Sequence, residues 1–153
     1  MTLVKASIDI DAPRDRVYDL MLDPGRLGKW VTIHRRVNSS DAGPPREGYK
    51  MDQTLHLRGA NFKVHWTLTD AKRPSRATWE GRGPAHSYAR TSYTLTDLDG
   101  DRTRFDYENE FKAPGGLLGA AASRMLIGGV PQREANRSLQ RLKAMLENGR
   151  SPG

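Results

Sequence analysis

Any chemistry in this chain would have to come from side chains that stand apart. The histidines, His34, His56, His65 and His86, form no HExxH pattern and no compact spacing with carboxylates, so no metal site is expected. There is no cysteine, which removes a thiolate zinc site, a disulfide framework and a cysteine nucleophile. Neither a GxSxG elbow nor a P-loop is present. Asp97-Leu98-Asp99-Gly100-Asp101 opens like a calcium loop but lacks the later ligands and the closing Glu, and a hairpin turn accounts for it. No catalytic residue is assigned and no cofactor is expected.

Polar residues at apolar positions say more, because an unpartnered buried polar group costs free energy. Gln53 interrupts a face formed by Tyr49, Met51 and Leu55. Asn109 interrupts the face of Phe105, Tyr107 and Phe111. Arg35 falls inward between Ile33 and Val37, and Gln132 and Asn136 lie near the apolar stripe of a helix. Each either bonds a ligand or satisfies backbone groups at a cavity mouth. His56 and His65 fall on polar faces. Tyr93 and Tyr107 are proton donors or ordinary buried tyrosines. The ligand-contact set read from strand parity is Tyr49, Met51, Gln53, Leu55, Val64, Trp66, Leu68, Trp79, Tyr93, Tyr107, Asn109 and Met125. The competing reading is that these bulky residues simply pack a core.

The elements that must position them follow from hydrophobic periodicity. Val4, Ala6, Ile8 and Ile10 alternate with Lys5, Ser7 and Asp9, the period-two pattern of a half-buried strand. Asp11 is the expected N-cap of a short helix carrying Val17, Leu20 and Met21, and Asp23-Pro24-Gly25 ends it. A second short helix, Arg26 to Trp30, turns Leu27 and Trp30 inward. Strands are then expected from Val31 to Val37, around Tyr49 to Leu55, from Phe62 to Thr69 and around Ala77 and Trp79, with Gly81 to Pro84 ending the last of these. Two more follow over 86–97 and around Phe105 to Phe111, joined at Asp99-Gly100. Short connections make the sheet antiparallel, since parallel strands need long crossovers. From Pro114 onward Leu118, Ala121, Met125, Ala135, Leu139, Leu142 and Leu146 recur near helical spacing, over about Gly115 to Glu147. Gly128-Gly129 and Pro131 predict a kink there, and residues 150–153 read as a frayed tail.

The 153 residues suffice for one domain with a real core, here 1–149. The alternating N-terminus is unlike a signal peptide, and no segment reaches the roughly 20 apolar residues of a membrane span. The expectation is a cytoplasmic protein. Its formal net charge of +7, from 25 Lys+Arg against 18 Asp+Glu, is dispersed, with pairs such as Arg35-Arg36 and Lys72-Arg73. That distribution reads as a solvated basic surface and argues against a nucleic-acid stripe, though an acidic partner stays an alternative. Oligomeric state is not legible.

The segment SIDIDAPRDRVYDLMLDPGRLGKW (Ser7 to Trp30) resembles the opening of the START-like, birch-pollen-allergen-like (SRPBCC) superfamily, in its bacterial polyketide cyclase/dehydrase branch. SLQRLKAMLE (Ser138 to Glu147) is similar to its closing helix. The resemblance covers nearly the whole chain. It implies an α+β helix-grip fold: a seven-stranded antiparallel sheet wrapped around a long C-terminal helix, with two short helices after the first strand. It also implies an internal cavity for a hydrophobic small molecule (lipid, quinone or polyketide-like). Members of the superfamily carry such ligands, and a minority are enzymes. The aromatase/cyclase members place catalytic polar groups on the strand whose Trp resembles Trp66. The following same-face positions here, read as Leu68 and Asp70, depart from that pattern. Three functions follow: a hydrophobic-ligand binder or carrier first, then a polyketide aromatase/cyclase or dehydratase, then a ribosome- or RNA-associated interaction protein motivated by the net charge.

Overall fold

A computed structural model describes residues 2–57, 59–112 and 130–148. The first strand, β1 (Thr2–Ile10), runs into α1 (Arg14–Leu22), a single 3-10 turn (Pro24–Arg26) and α2 (Leu27–Trp30). Six strands follow: β2 (His34–Ser40), β3 (Lys50–Leu57), β4 (Ala60–Lys72), β5 (Arg76–Arg82), β6 (Tyr88–Leu98) and β7 (Arg102–Lys112). The described part of the closing helix, α3, is Val130–Asn148. The strands form one antiparallel sheet in the order β1-β7-β6-β5-β4-β3-β2. This is the helix-grip fold. Because β1 and β2 are the two edges, the α1–α2 segment must cross the open face of the sheet.

Helix α3 lies beside those two short helices on the same face. Ala135, Leu139, Leu142 and Leu146 are all buried, at 4-3-4 spacing that makes one continuous stripe. Each buried leucine contributes about 1.5–3 kcal/mol of transfer free energy. Polar clamps fix the end of this helix on β1. The Lys143 ammonium donates to the Asp9 carbonyl at 2.8 Å, and the Asp11 N–H donates to the Glu147 carboxylate at 2.8 Å. The expected cap, Asp11, lies two residues before the N-cap position. Pro13 stands at the N-cap of α1 with no side-chain hydrogen bond.

Three register shifts rearrange the expected faces, two of them in β2, where the second falls between Val37 and Ser39, and one in β4. In β2 the register shifts between His34 and Arg36, so Arg35 is the extra residue and is exposed. His34, opposite Leu55, turns inward in its place. The strand also starts later than expected, because Val31–Ile33 form a turn closed by the His34 N–H on the Val31 carbonyl at 3.1 Å. In β4 the register shifts between Leu68 and Asp70. Asp70 pairs with Thr78, while Leu68 pairs with Trp79, so the two do not share a face as parity alone implied. Asp70 instead holds Arg76 at 2.7 Å.

Gly81 belongs to β5 and does not end it. Between β6 and β7 the chain turns at Gly100 (φ 76°) and Asp101 (φ 56°), conformations that glycine and Asp tolerate better than most residues. Leu118, Ala121, Met125, the kink at Gly128-Gly129 and the tail at 150–153 lie outside the described residues.

Candidate ligand cavity

The sheet and the three helices leave a cavity of about 290 Å³ between them. That is near the lower end of the roughly 300–1,000 Å³ range of small-molecule sites. Strands β3 to β7 supply one wall, and α1, α2 and α3 supply the other. All three tryptophans of the chain, Trp30, Trp66 and Trp79, line it.

Of the residues expected at a ligand site, Met51, Gln53, Leu55, Val64, Trp66, Trp79, Tyr93, Tyr107 and Asn109 line the cavity. Tyr49 and Leu68 do not. Tyr49 is buried with its ring edge-on to Trp79 at 6.2 Å, and Leu68 is fully buried in the core. Met125 lies outside the described residues. Gln132 is turned away: its side-chain amide donates to the Lys5 carbonyl at 2.7 Å and to Asn136 at 3.3 Å. Strand parity did not reveal the helical wall of Met21, Leu22, Leu27 and Leu139, although the inward stripes of these helices were visible as sequence patterns. It also passed over Thr91, buried between Ala89 and Tyr93 on the inner face of β6.

Gln53 organises the β3 end of the wall. The Trp66 indole N–H donates to its carbonyl oxygen at 2.9 Å, which fixes the amide's orientation. The Gln53 NH2 group then points at His34 Nδ1, 2.7 Å away. That nitrogen must accept, so His34 carries its proton on Nε2 and is neutral. Burial acts in the same direction, holding the His34 pKa below the ordinary histidine value.

At the helical edge, Thr32 joins the α2–β2 turn to α3. Its N–H donates to Ser138 Oγ at 3.0 Å, and its hydroxyl donates to the Glu134 carboxylate. Glu134 also holds Arg137 at 3.5 Å. Exposed Pro84 and Lys112 mark the rim.

Tyr93 and Tyr107 face each other across β6 and β7, with ring centroids 6.0 Å apart. Burial raises both phenol pKa values. Tyr107 is pushed up to about 12, with the Asn109 amide beside its oxygen opposing the shift, while Tyr93 is raised further, with its neighbour Tyr107 adding to the effect of burial. Both are neutral hydrogen-bond donors at physiological pH. Trp30 packs edge-on to Tyr93 at 6.4 Å, and its buried indole N–H has no hydrogen-bond partner among the described residues.

A sheet gripping its C-terminal helix around an apolar cavity defines a START-like protein. The profile of the family described as polyketide cyclase / dehydrase and lipid transport matches residues 1–147, and the chain belongs to that family. A search among curated proteins gives no match.

Solved structures share the fold at low identity. A protein of Thermus thermophilus is 18% identical with a TM-score of 0.73, over 98% of this chain and 100% of that one. A START superfamily protein of Mycobacterium smegmatis is 12% identical with a TM-score of 0.70, over 95% and 97%. A protein of the dynemicin biosynthetic locus is 16% identical with a TM-score of 0.63, over 96% of this chain and 48% of that longer one.

Proposed function

We propose that this protein binds a hydrophobic small molecule, of lipid, quinone or polyketide-like chemistry, and carries or sequesters it. The observation that supports this is the cavity wall: three tryptophans from α2, β4 and β5 surround one apolar volume. Aromatic and aliphatic walls with few polar groups suit a ligand held by exclusion from water.

The reading favours a carrier over a cyclase or dehydratase. General acid–base catalysis needs a titrating group poised near the reacting atoms. In the described lining the carboxylate is that of Glu134, already held by Thr32 and Arg137, and the phenols of Tyr93 and Tyr107 are shifted far from neutral pH. The positions that depart from the cyclase pattern carry a core leucine, Leu68, and an ion-paired Asp70 on the other face.

Titration with N-phenyl-1-naphthylamine, a neutral apolar fluorophore, tests the binding reading. The expected result is saturable one-to-one binding with energy transfer from the tryptophans. Non-saturable partitioning, unchanged when Trp66 is replaced by Ala, would overturn it.

A further inference from the structure

Most polar groups of the lining are committed to one another. Gln53 is held between Trp66 and His34, Thr32 engages Glu134 and Ser138, and the Tyr88 hydroxyl donates to Glu80 at 3.0 Å. Deeper in, Thr91 donates to Asn109 Oδ1 at 3.1 Å, which leaves the Asn109 NH2 group as a donor two residues along β7 from Tyr107. The Tyr107 phenol also lines the cavity and brings an O–H donor to it. Tyr93 is only 7% exposed, with its ring packed among Trp30, Phe105 and Tyr107, so its hydroxyl has little access to bulk water. The cluster is compact. Tyr93 and Tyr107 are direct cross-strand partners, and Asn109 is the next residue on the same face of β7.

We propose that Tyr93, Tyr107 and Asn109 form the polar subsite of the cavity, which takes the carbonyl oxygen of a neutral, otherwise apolar ketone or quinone. This rests on the ligand-binding reading above. A carbonyl oxygen has two lone pairs, one for each phenol, and brings no proton of its own to place. The Asn109 NH2 group, its Oδ1 already bonded to Thr91, adds a further donor beside the two phenols. Burial keeps both phenols protonated, so the subsite offers donors at any physiological pH. An ionised carboxylate does not fit. The cation in the described lining is Lys112, out at the exposed rim, and an unpaired anion at the tyrosines would lose its hydration without a counter-charge.

Three naphthalenes of similar shape separate these cases: 2-acetonaphthone, 2-isopropenylnaphthalene and 2-naphthoate, titrated against tryptophan emission. The ketone is expected to bind at least about fivefold tighter than the hydrocarbon, the size of one or two net hydrogen bonds, and 2-naphthoate weakest. In the Y93F/Y107F double variant the ketone advantage should fall below about twofold while hydrocarbon affinity holds, which also shows that the variant folds. The carbonyl stretch of bound ketone should lie at lower frequency in the wild type than in that variant. If the hydrocarbon binds as well as the ketone, if 2-naphthoate binds best, or if the double variant keeps the ketone advantage, the subsite assignment is wrong while the cavity reading stands. If none of the three binds, and N-phenyl-1-naphthylamine does not bind either, both fall.

Discussion

The Trp66 indole packs directly against Gly81, its cross-strand partner. A Cβ added at Gly81 would sit 2.6 Å from Trp66 Cε3 and 2.8 Å from Val64 Cγ1, closer than real Cβ contacts come. This glycine is what lets the indole form part of the wall without filling the space in front of it. Gly81→Ala should push Trp66 into the cavity, destabilise the fold by about 1–3 kcal/mol and weaken N-phenyl-1-naphthylamine binding at least several-fold. Urea denaturation and fluorescence titration measure the two effects separately.

Gln53 is 5% exposed and bonds two side chains at once. Gln53→Leu keeps the volume but strands the Trp66 N–H and His34 Nδ1. Both residues are half-buried, so the expected cost is at most about 1–3 kcal/mol for each group left without a partner. A stability equal to the wild type in urea would mean that both groups find water instead.

The same network gives acid sensitivity with a definite sign. The folded-state pKa of His34 is lowered by burial, so in the window just below the ordinary value of 6.5 the unfolded chain binds more protons than the folded one. Stability therefore rises with pH across that window and falls as pH drops through 6.5 toward the folded pKa. Comparison of thermal unfolding of wild type and His34→Asn between pH 7.5 and 5.5 should show a steeper acid loss in the wild type. Parallel curves would show that His34 does not contribute.

Leu139 and Leu142 distinguish packing from lining. Both are almost completely buried on α3, but only Leu139 lines the cavity. Each change to Ala should cost about 2–5 kcal/mol. Only Leu139→Ala should enlarge the binding space and shift preference toward bulkier ligands in a competition titration.

Thr32, Glu134 and Ser138 tie the α2–β2 turn to α3 beside the cavity. Ser138→Ala removes the acceptor of the Thr32 N–H. Faster dissociation of bound fluorophore is expected in stopped-flow displacement, with a smaller change in association. An unchanged off-rate would place the route of ligand exchange elsewhere.

Much of the architecture was legible in local patterns. Val4, Ala6, Ile8 and Ile10 declare a strand, and Ala135, Leu139, Leu142 and Leu146 declare a helical stripe, because a period of two or of 3.6 is set by backbone geometry within a few residues. Trp66, Trp79 and Tyr93 reached the cavity for the same reason: where a strand is regular, parity along it is enough. Arg35 and Asp70 show where parity stops. An extra residue between His34 and Arg36 in β2, and one between Leu68 and Asp70 in β4, turned them away from the inner face, and a bulge leaves no periodic trace.

What the sequence by itself determined was the set of elements, their antiparallel connection and the absence of cysteine chemistry, all properties of neighbouring residues or of composition. Only the tertiary structure decided which inward residues pack and which face open space. Tyr49 and Leu68 are as inward as Met51 and Trp66, yet they fill the core and leave the cavity to others. The cavity is the volume that sheet and helices fail to fill, and it depends on contacts between residues far apart in the chain. The partner of a buried polar group does too. His34 and Gln53 are 19 residues apart, and neither announces the other until β2 and β3 pair.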